Sequence, residues 1–119
     1  MNRVIIESPY RRTPYRSTAQ HALYLNFCIE DSLVRGEAPF ASHLLYTPFL
    51  DDDDVLQRAQ GIKAGYVWGE HADLIAVYSD FGVSDGMAEA IKHYTSLGKA
   101  IEWRKLTTPI VASIEKMAE

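Results

Sequence analysis

Short apolar runs alternate with helix-length amphipathic stretches along nearly the whole chain, and this order limits the folds open to it. The strongest strand signal is Leu74-Ile75-Ala76-Val77-Tyr78, preceded by Asp73 and followed by the turn Asp80-Phe81-Gly82. Val4-Ile5-Ile6, ended by Ser8-Pro9, is a second buried strand. Ala41–Leu45, after Pro39, and Ala100–Trp103 complete four. Ser17 or Thr18 caps a helix with Ala22, Leu25, Ile29 and Leu33 on one face, stopped by Gly36. Asp51–Asp54 open a second helix, with Val55, Ala59, Ile62 and Tyr66 on one face. Ser84 caps a third helix carrying Met87, Ile91 and Tyr94, with Gly98 as its stop. Pro109 fits the first turn of a last helix with Ile110 and Ile114 on one side. The order β-α-β-α-β-α-β-α predicts an α/β fold, a parallel sheet with helices on both faces. Ligands of such open sheets sit at the carboxyl ends of the strands. Those ends are Ser8-Pro9-Tyr10, His43 to Tyr46, and Ser79 to Gly86.

A chain of 119 residues, 47% hydrophobic and 24% charged, fits one globular domain over 1–119 and excludes a disordered or fibrous chain. The formal charge of −4 argues against duplex DNA and anionic membranes as partners. No apolar stretch is long enough to span a bilayer, and Val4-Ile5-Ile6 before Glu7 is too short for a signal-peptide core. The lone Cys28 cannot form an internal disulfide and fits a reducing compartment, so a cytoplasmic protein is expected.

Three clusters can carry chemistry. Glu7-Ser8-Pro9-Tyr10, followed by Arg11, Arg12 and Arg16, leads into a helix N-terminus and suits an anion such as phosphate. Arginines near the positive end of a helix dipole need compensation from phosphate or an acidic surface; the alternative is a solvated loop. Ser42-His43 with Tyr46 can donate to a sugar hydroxyl or phosphate, unless His43 only bonds backbone at a strand end. In Asp80-Phe81-Gly82-Val83-Ser84-Asp85-Gly86-Met87-Ala88-Glu89, Gly82 and Gly86 permit close backbone approach and Ser84 exposes free amides. Asp80 and Glu89 can face one cleft as a carboxylate pair, or serve as a turn residue and a solvent-facing one. Asp51–Asp54 lack the glycine and distal glutamate of a calcium loop and are read as helix-start residues, so no metal is expected. Cys28 is read as a small buried hydrophobe, and Trp68 and Trp103 as core or interface residues, with Trp68 also able to stack a base. No Walker loop or dinucleotide glycine fingerprint is present, and no cofactor is expected.

The three clusters, followed by Leu97-Gly98-Lys99, together resemble the nucleoside 2-deoxyribosyltransferase-like superfamily over about residues 3–106, and within it a short phage- and prophage-borne branch. The resemblance implies a flavodoxin-like parallel sheet of about four strands, a nucleoside or nucleotide ligand, and homo-oligomers that complete each other's sites. It also implies a glutamate nucleophile early in the third helix and an aspartate at the preceding strand end, which Glu89 and Asp80 match. Glu89 departs from the enzymes' spacing to Gly98 by about one residue, roughly 100° of helix rotation. The expected ligand-binding residues are Ser8, Pro9, Tyr10, Arg11, His43, Tyr46, Gly82, Ser84, Gly86 and Met87. The main expectation is a nucleotide-binding protein that recognises a ribose-phosphate ligand. The alternatives are an active N-glycosyl transferase or hydrolase, a sponge for a cyclic ADP-ribose-type host defence signal, and an interaction protein without a small ligand.

Overall fold

A computed structural model describes residues 1–117. Strand β1 (Arg3–Glu7) leads to helix α1 (Thr18–Val34), then to β2 (Ala38–Phe40) and the one-turn α2 (Ser42–Leu45). A 3-10 turn (Thr47–Phe49) precedes α3 (Val55–Gly69), β3 (Leu74–Tyr78), α4 (Asp85–Ser96), β4 (Ile101–Arg104) and α5 (Thr108–Glu115). All three strand pairings are parallel and the strand order is β2-β1-β3-β4. This is the flavodoxin-like α/β arrangement. None of the helices described is long and apolar enough to cross a membrane.

The period of two in β1 and β3 builds two cores. Val4, Ile6, Ala76 and Tyr78 face one way and pack with Tyr24, Leu25 and Cys28 of α1 and Ile114 of α5. Ile5, Ile75 and Val77 face the other way and pack with Met87, Ala90 and Tyr94 of α4, flanked by Tyr66 of α3. Fully burying each such aliphatic side chain contributes about 1.5–3 kcal/mol. The second face is tightly closed at Gly69, where an added Cβ would lie 2.0 Å from the Tyr94 hydroxyl. Only glycine lets the end of α3 lie over that ring.

Four local expectations need correction. The second strand is Ala38–Phe40, and Ser42–Leu45 is helical. Proline is tolerated at position 39 because β2 is an edge strand that pairs only with β1. In α1 the buried face runs through Gln20, His21, Tyr24, Leu25, Cys28 and Ser32, while Leu33 is exposed. The polar members of that face are buried because each finds a partner: the Gln20 side-chain amide donates to the Ile114 carbonyl (3.0 Å) and the Ser32 hydroxyl to Glu37 (2.8 Å). In α3 the expected apolar stripe is inward only at its far end, where Tyr66 packs on the second core and Ile62 lines the cleft, while Val55 is 80% exposed. Trp68 and Trp103 are both more than half exposed, which removes the core half of the core-or-interface expectation for them.

The helix starts follow their capping chemistry. The Ser17 hydroxyl accepts from the Gln20 N–H, and the Gln20 side chain accepts from the Ser17 N–H. The Asp54 carboxylate accepts the Leu56 and Gln57 N–H groups, the structural role expected for that aspartate run. Cys28 is fully buried, and burial pushes its thiol up. Gly36, Gly82 and Gly98 have positive φ and make the turns where the sequence places them.

Candidate functional site

Strand order reverses between β1 and β3, and a broad cleft of about 1130 Å³ opens there at the carboxyl ends of β1 and β2. Its floor is Ile5 and Glu7 of β1, Phe40 of β2, Tyr66 of α3, and Ala90 and Tyr94 of α4. One wall is the loop from Ser8 to Thr13, and another is α2 with Ser42, His43 and Tyr46. The N-terminus of α4 (Ser84 to Met87) and the α3 residues Gln57 and Arg58 close the rim.

The structure therefore brings Ser8, Pro9, Tyr10, Arg11, His43, Tyr46, Ser84, Gly86, Met87 and Glu89 to one hollow. Asp80 and Gly82 are not among its lining residues. Asp80 follows Ala76 and Tyr78 in the alternation, and these face α1 and α5. Its carboxylate accepts from the Tyr24 hydroxyl at 2.6 Å and from the Leu106 N–H at 3.0 Å. Glu89 is exposed at the rim; burial raises the Tyr66 phenol, with the Glu7 and Glu89 carboxylates adding to it.

The loop after β1 is held from below. The His21 ring shares a hydrogen bond of 3.2 Å with the Tyr10 carbonyl, and because a carbonyl only accepts, Nδ1 carries the proton. Desolvation lowers the His21 pKa, so the neutral ring is favoured. Tyr10 stacks on His43, centroids 4.8 Å apart and planes within 12°. Burial also lowers the His43 pKa, so this stack presents a neutral aromatic surface. A second stack, Tyr66 on His93 at 4.0 Å, backs the opposite side. The Ser8 hydroxyl is buried and has no protein partner.

The arginines divide. Arg16 leaves the cleft: it pairs with Glu115 at 3.0 Å and lies 4.2 Å above the Phe81 ring. Arg11 pairs with Asp52 (3.3 Å) and Asp53 (3.5 Å), so the compensation expected for it comes from this chain's own aspartates. Arg58, which the periodic reading of α3 passed over, pairs loosely with Asp52 at 3.8 Å and reaches the start of α4 beside Gly86. It brings a cation to free helix amides, a combination that suits phosphate.

Glu7 is the other residue that needed a structure. It continues the alternation of Ile5, so its side chain enters the cleft. Among the described residues it has no ion pair, and desolvation raises its carboxyl to about 8. The signal was present in the strand period, but a glutamate ending an apolar strand reads first as a solvated residue. No group of metal-ligating side chains occurs among the described residues.

The chain belongs to the family described as Domain of unknown function (DUF7768), whose profile matches residues 2–104. Among solved structures, a 2-deoxyribosyltransferase from the psychrotolerant bacterium Bacillus psychrosaccharolyticus superposes with a TM-score of 0.65 at 14% identity, over 93% of this chain and 81% of that one. That enzyme is described as a biocatalyst for the synthesis of antiviral and antitumoral nucleosides. At this identity the likeness establishes a shared fold. No curated protein matches the chain.

Proposed function

We propose that the cleft binds a nucleoside or nucleotide, with the base between the aromatic walls and a phosphate at the start of α4. The observation that carries this reading is the convergence of three separate segments on one hollow at the strand-order reversal: the loop after β1, α2, and the N-terminus of α4. The Tyr10–His43 stack offers a neutral π-surface, worth about 1–3 kcal/mol per stacked base. Arg58 beside Gly86 offers a cation next to helix amides. The shared fold with a 2-deoxyribosyltransferase points the same way.

Recognition is favoured over glycosyl transfer because the carboxylate pair is not assembled. Asp80 is engaged on the opposite face of the sheet, and Glu89 stands on the rim without it. Calorimetry and thermal shift with nucleosides, nucleoside monophosphates, ADP-ribose and cyclic ADP-ribose test the binding. Ligand at a hundred times Kd adds about 2.7 kcal/mol of stability. No stabilisation by any of them removes the proposal. Release of free base in the same incubations would replace it with the transferase or hydrolase reading. Selective tight binding of cyclic ADP-ribose would favour sequestration of a phage-defence signal.

We also propose that a second copy of the chain packs on α3. Phe49, Val55 and Leu56 are each about four-fifths exposed (81%, 80% and 81%), more than scattered surface residues explain. Beside them Arg11 and Arg58 interleave with Asp52 and Asp53. Two cations among two anions on one patch are self-complementary, as a two-fold contact requires.

A further inference from the structure

We propose that Glu7 is the base-reading residue of the cleft, and that it works as a neutral carboxylic acid: its O–H donates to a ring or carbonyl acceptor of the base while its C=O accepts the neighbouring N–H. The inference deepens the nucleoside reading and rests on it. It concerns a residue that the resemblance does not assign, and it names the edge of the ligand that residue would take.

The geometry carries it in three steps. First, β1 has neighbours on both sides, and Glu7 is its last residue, at the point where strand order reverses. At Glu7 itself the pairing with β2 has ended and only β3 continues, through Val77, so the half-buried side chain opens into the cleft. Second, the strand period sends Glu7 to the α3/α4 face with Ile5, where Tyr66 and Tyr94 stand over the cleft floor. Third, no cation lies within ion-pairing distance of its carboxyl among the described residues, and no protein donor hydrogen-bonds to it. The next residue, Ser8, also presents a buried hydroxyl without a partner. Two adjacent polar side chains at one strand end, both unsatisfied by protein and both lining one hollow, are the arrangement a polar ligand completes.

The surroundings decide the protonation state. From α3 the facing group is Tyr66, and from α4 they are Tyr94 and, at the rim, Glu89; His93 lies behind Tyr66. From β2 the neighbour is the apolar Phe40. Burial raises the Tyr66 and Tyr94 phenols, so both stay neutral near pH 7; of the arginines on the upper wall, Arg11 and Arg58 are engaged with Asp52 and Asp53, and Arg12 lines the same wall without an ion pair among the described residues. Desolvation therefore holds the proton on Glu7 to about pH 8. A neutral acid offers one donor and one acceptor side by side. That set complements the amidine edge of adenine or cytosine and the lactam edge of uracil or guanine. It does not complement the two hydroxyls of a ribose diol, which ask for the two acceptors of a carboxylate.

Calorimetry on the full chain with adenosine and cytidine, whose own edges do not titrate near neutrality, distinguishes the two. Ribose 5-phosphate serves as the base-free probe. Affinity for both nucleosides should fall about tenfold between pH 6.5 and 9 as the proton leaves Glu7. E7Q keeps a donor and an acceptor, so it should bind within about threefold of wild type at pH 6.5 and show no such fall. E7A should lose tenfold or more at pH 6.5. Ribose 5-phosphate binding should be the same in all three proteins. Affinity that rises with pH, or E7Q as weak as E7A, overturns the neutral-acid assignment. Nucleoside binding unchanged in E7A removes Glu7 from recognition while leaving the cleft's function intact. If no nucleoside and no nucleotide binds wild type at any pH, the nucleoside reading fails, and this inference fails with it.

Discussion

The Tyr24 hydroxyl donates to the Asp80 carboxylate at 2.6 Å and in turn accepts the Asp80 N–H at 3.1 Å, tying α1 to the end of β3. The same carboxylate accepts the Leu106 N–H and so fixes the chain between β4 and α5. Asp80 is thereby a joint between three elements. D80A strands the buried Tyr24 hydroxyl and the Leu106 amide, which should cost about 1–3 kcal/mol in urea unfolding. D80N keeps an acceptor and should cost less. Nucleoside affinity should change by less than about twofold in D80N, since its side chain does not line the cleft. Loss of ligand binding in D80N at full stability would return Asp80 to the site.

Glu7 should also mark the pH dependence of folding without any ligand. Its carboxyl is raised from an ordinary 4.5 to about 8 in the folded protein, so between those values the native state holds a proton that the unfolded chain has lost. Stability contributed at this site therefore falls as pH rises through that window. E7Q has no proton to lose. Relative to wild type it should gain on the order of 5 kcal/mol at pH 9 and nothing at pH 4. Urea midpoints of the two proteins across that range measure the difference, and parallel curves would show that Glu7 ionises normally.

The contrast between Glu7 and Asp80 shows what the sequence held and what it concealed. Glu7 ends β1 and Asp80 follows β3 by two residues, and both sit in a loop-proximal polar cluster. The alternation Val4-Ile5-Ile6-Glu7 and Ala76-Val77-Tyr78-Ser79-Asp80 sends them to opposite faces once the sheet is known to be covered on both. Three of the four strands, the parallel sheet and the capping serines were legible because each rests on a pattern along the chain. The buried face of α1 was not, because Gln20, His21 and Ser32 are satisfied by Ile114, Tyr10 and Glu37, partners that only the fold supplies. Ala41–Leu45 misled because five residues after a proline carry no period long enough to separate strand from helix. Arg58 was invisible for a related reason: its function depends on α4 arriving beside it.

A buried ion pair links the two edge strands of the sheet. Arg104 of β4 meets Glu37, just before β2, through two contacts of 2.8 and 2.7 Å, with side chains 2% and 13% exposed. The guanidinium holds the Glu37 carboxyl below its usual range. A depressed folded pKa means that this stabilisation is complete above the unfolded value, near 4.3, and is lost as pH falls below it. E37Q leaves Arg104 with less compensation and should cost about 3 kcal/mol at pH 7, with a flatter loss of stability in acid. The double variant R104M/E37L removes both charges and should recover much of that loss. A double variant no more stable than E37Q would mean that the charges, and not only their mutual satisfaction, hold this link.

The exposed face of α3 makes the last prediction. An isolated chain that leaves Phe49, Val55 and Leu56 about four-fifths in water gives up their burial energy, and a contact between two copies would recover it. A stable contact needs about 1,200–2,000 Å² of buried surface in total, within reach of a 15-residue helix and the segment before it on each copy. Sedimentation velocity should find a dimer or larger assembly for wild type at micromolar concentration. L56D places a charge in the middle of the patch without touching either core, and should yield a folded monomer with an unchanged circular dichroism spectrum. Because Ile62 of the same helix lines the cleft, the monomeric variant should also bind nucleoside more weakly if the second copy completes the wall. A wild-type chain that sediments as a monomer at 100 times that concentration would leave the apolar face of α3 to a different partner.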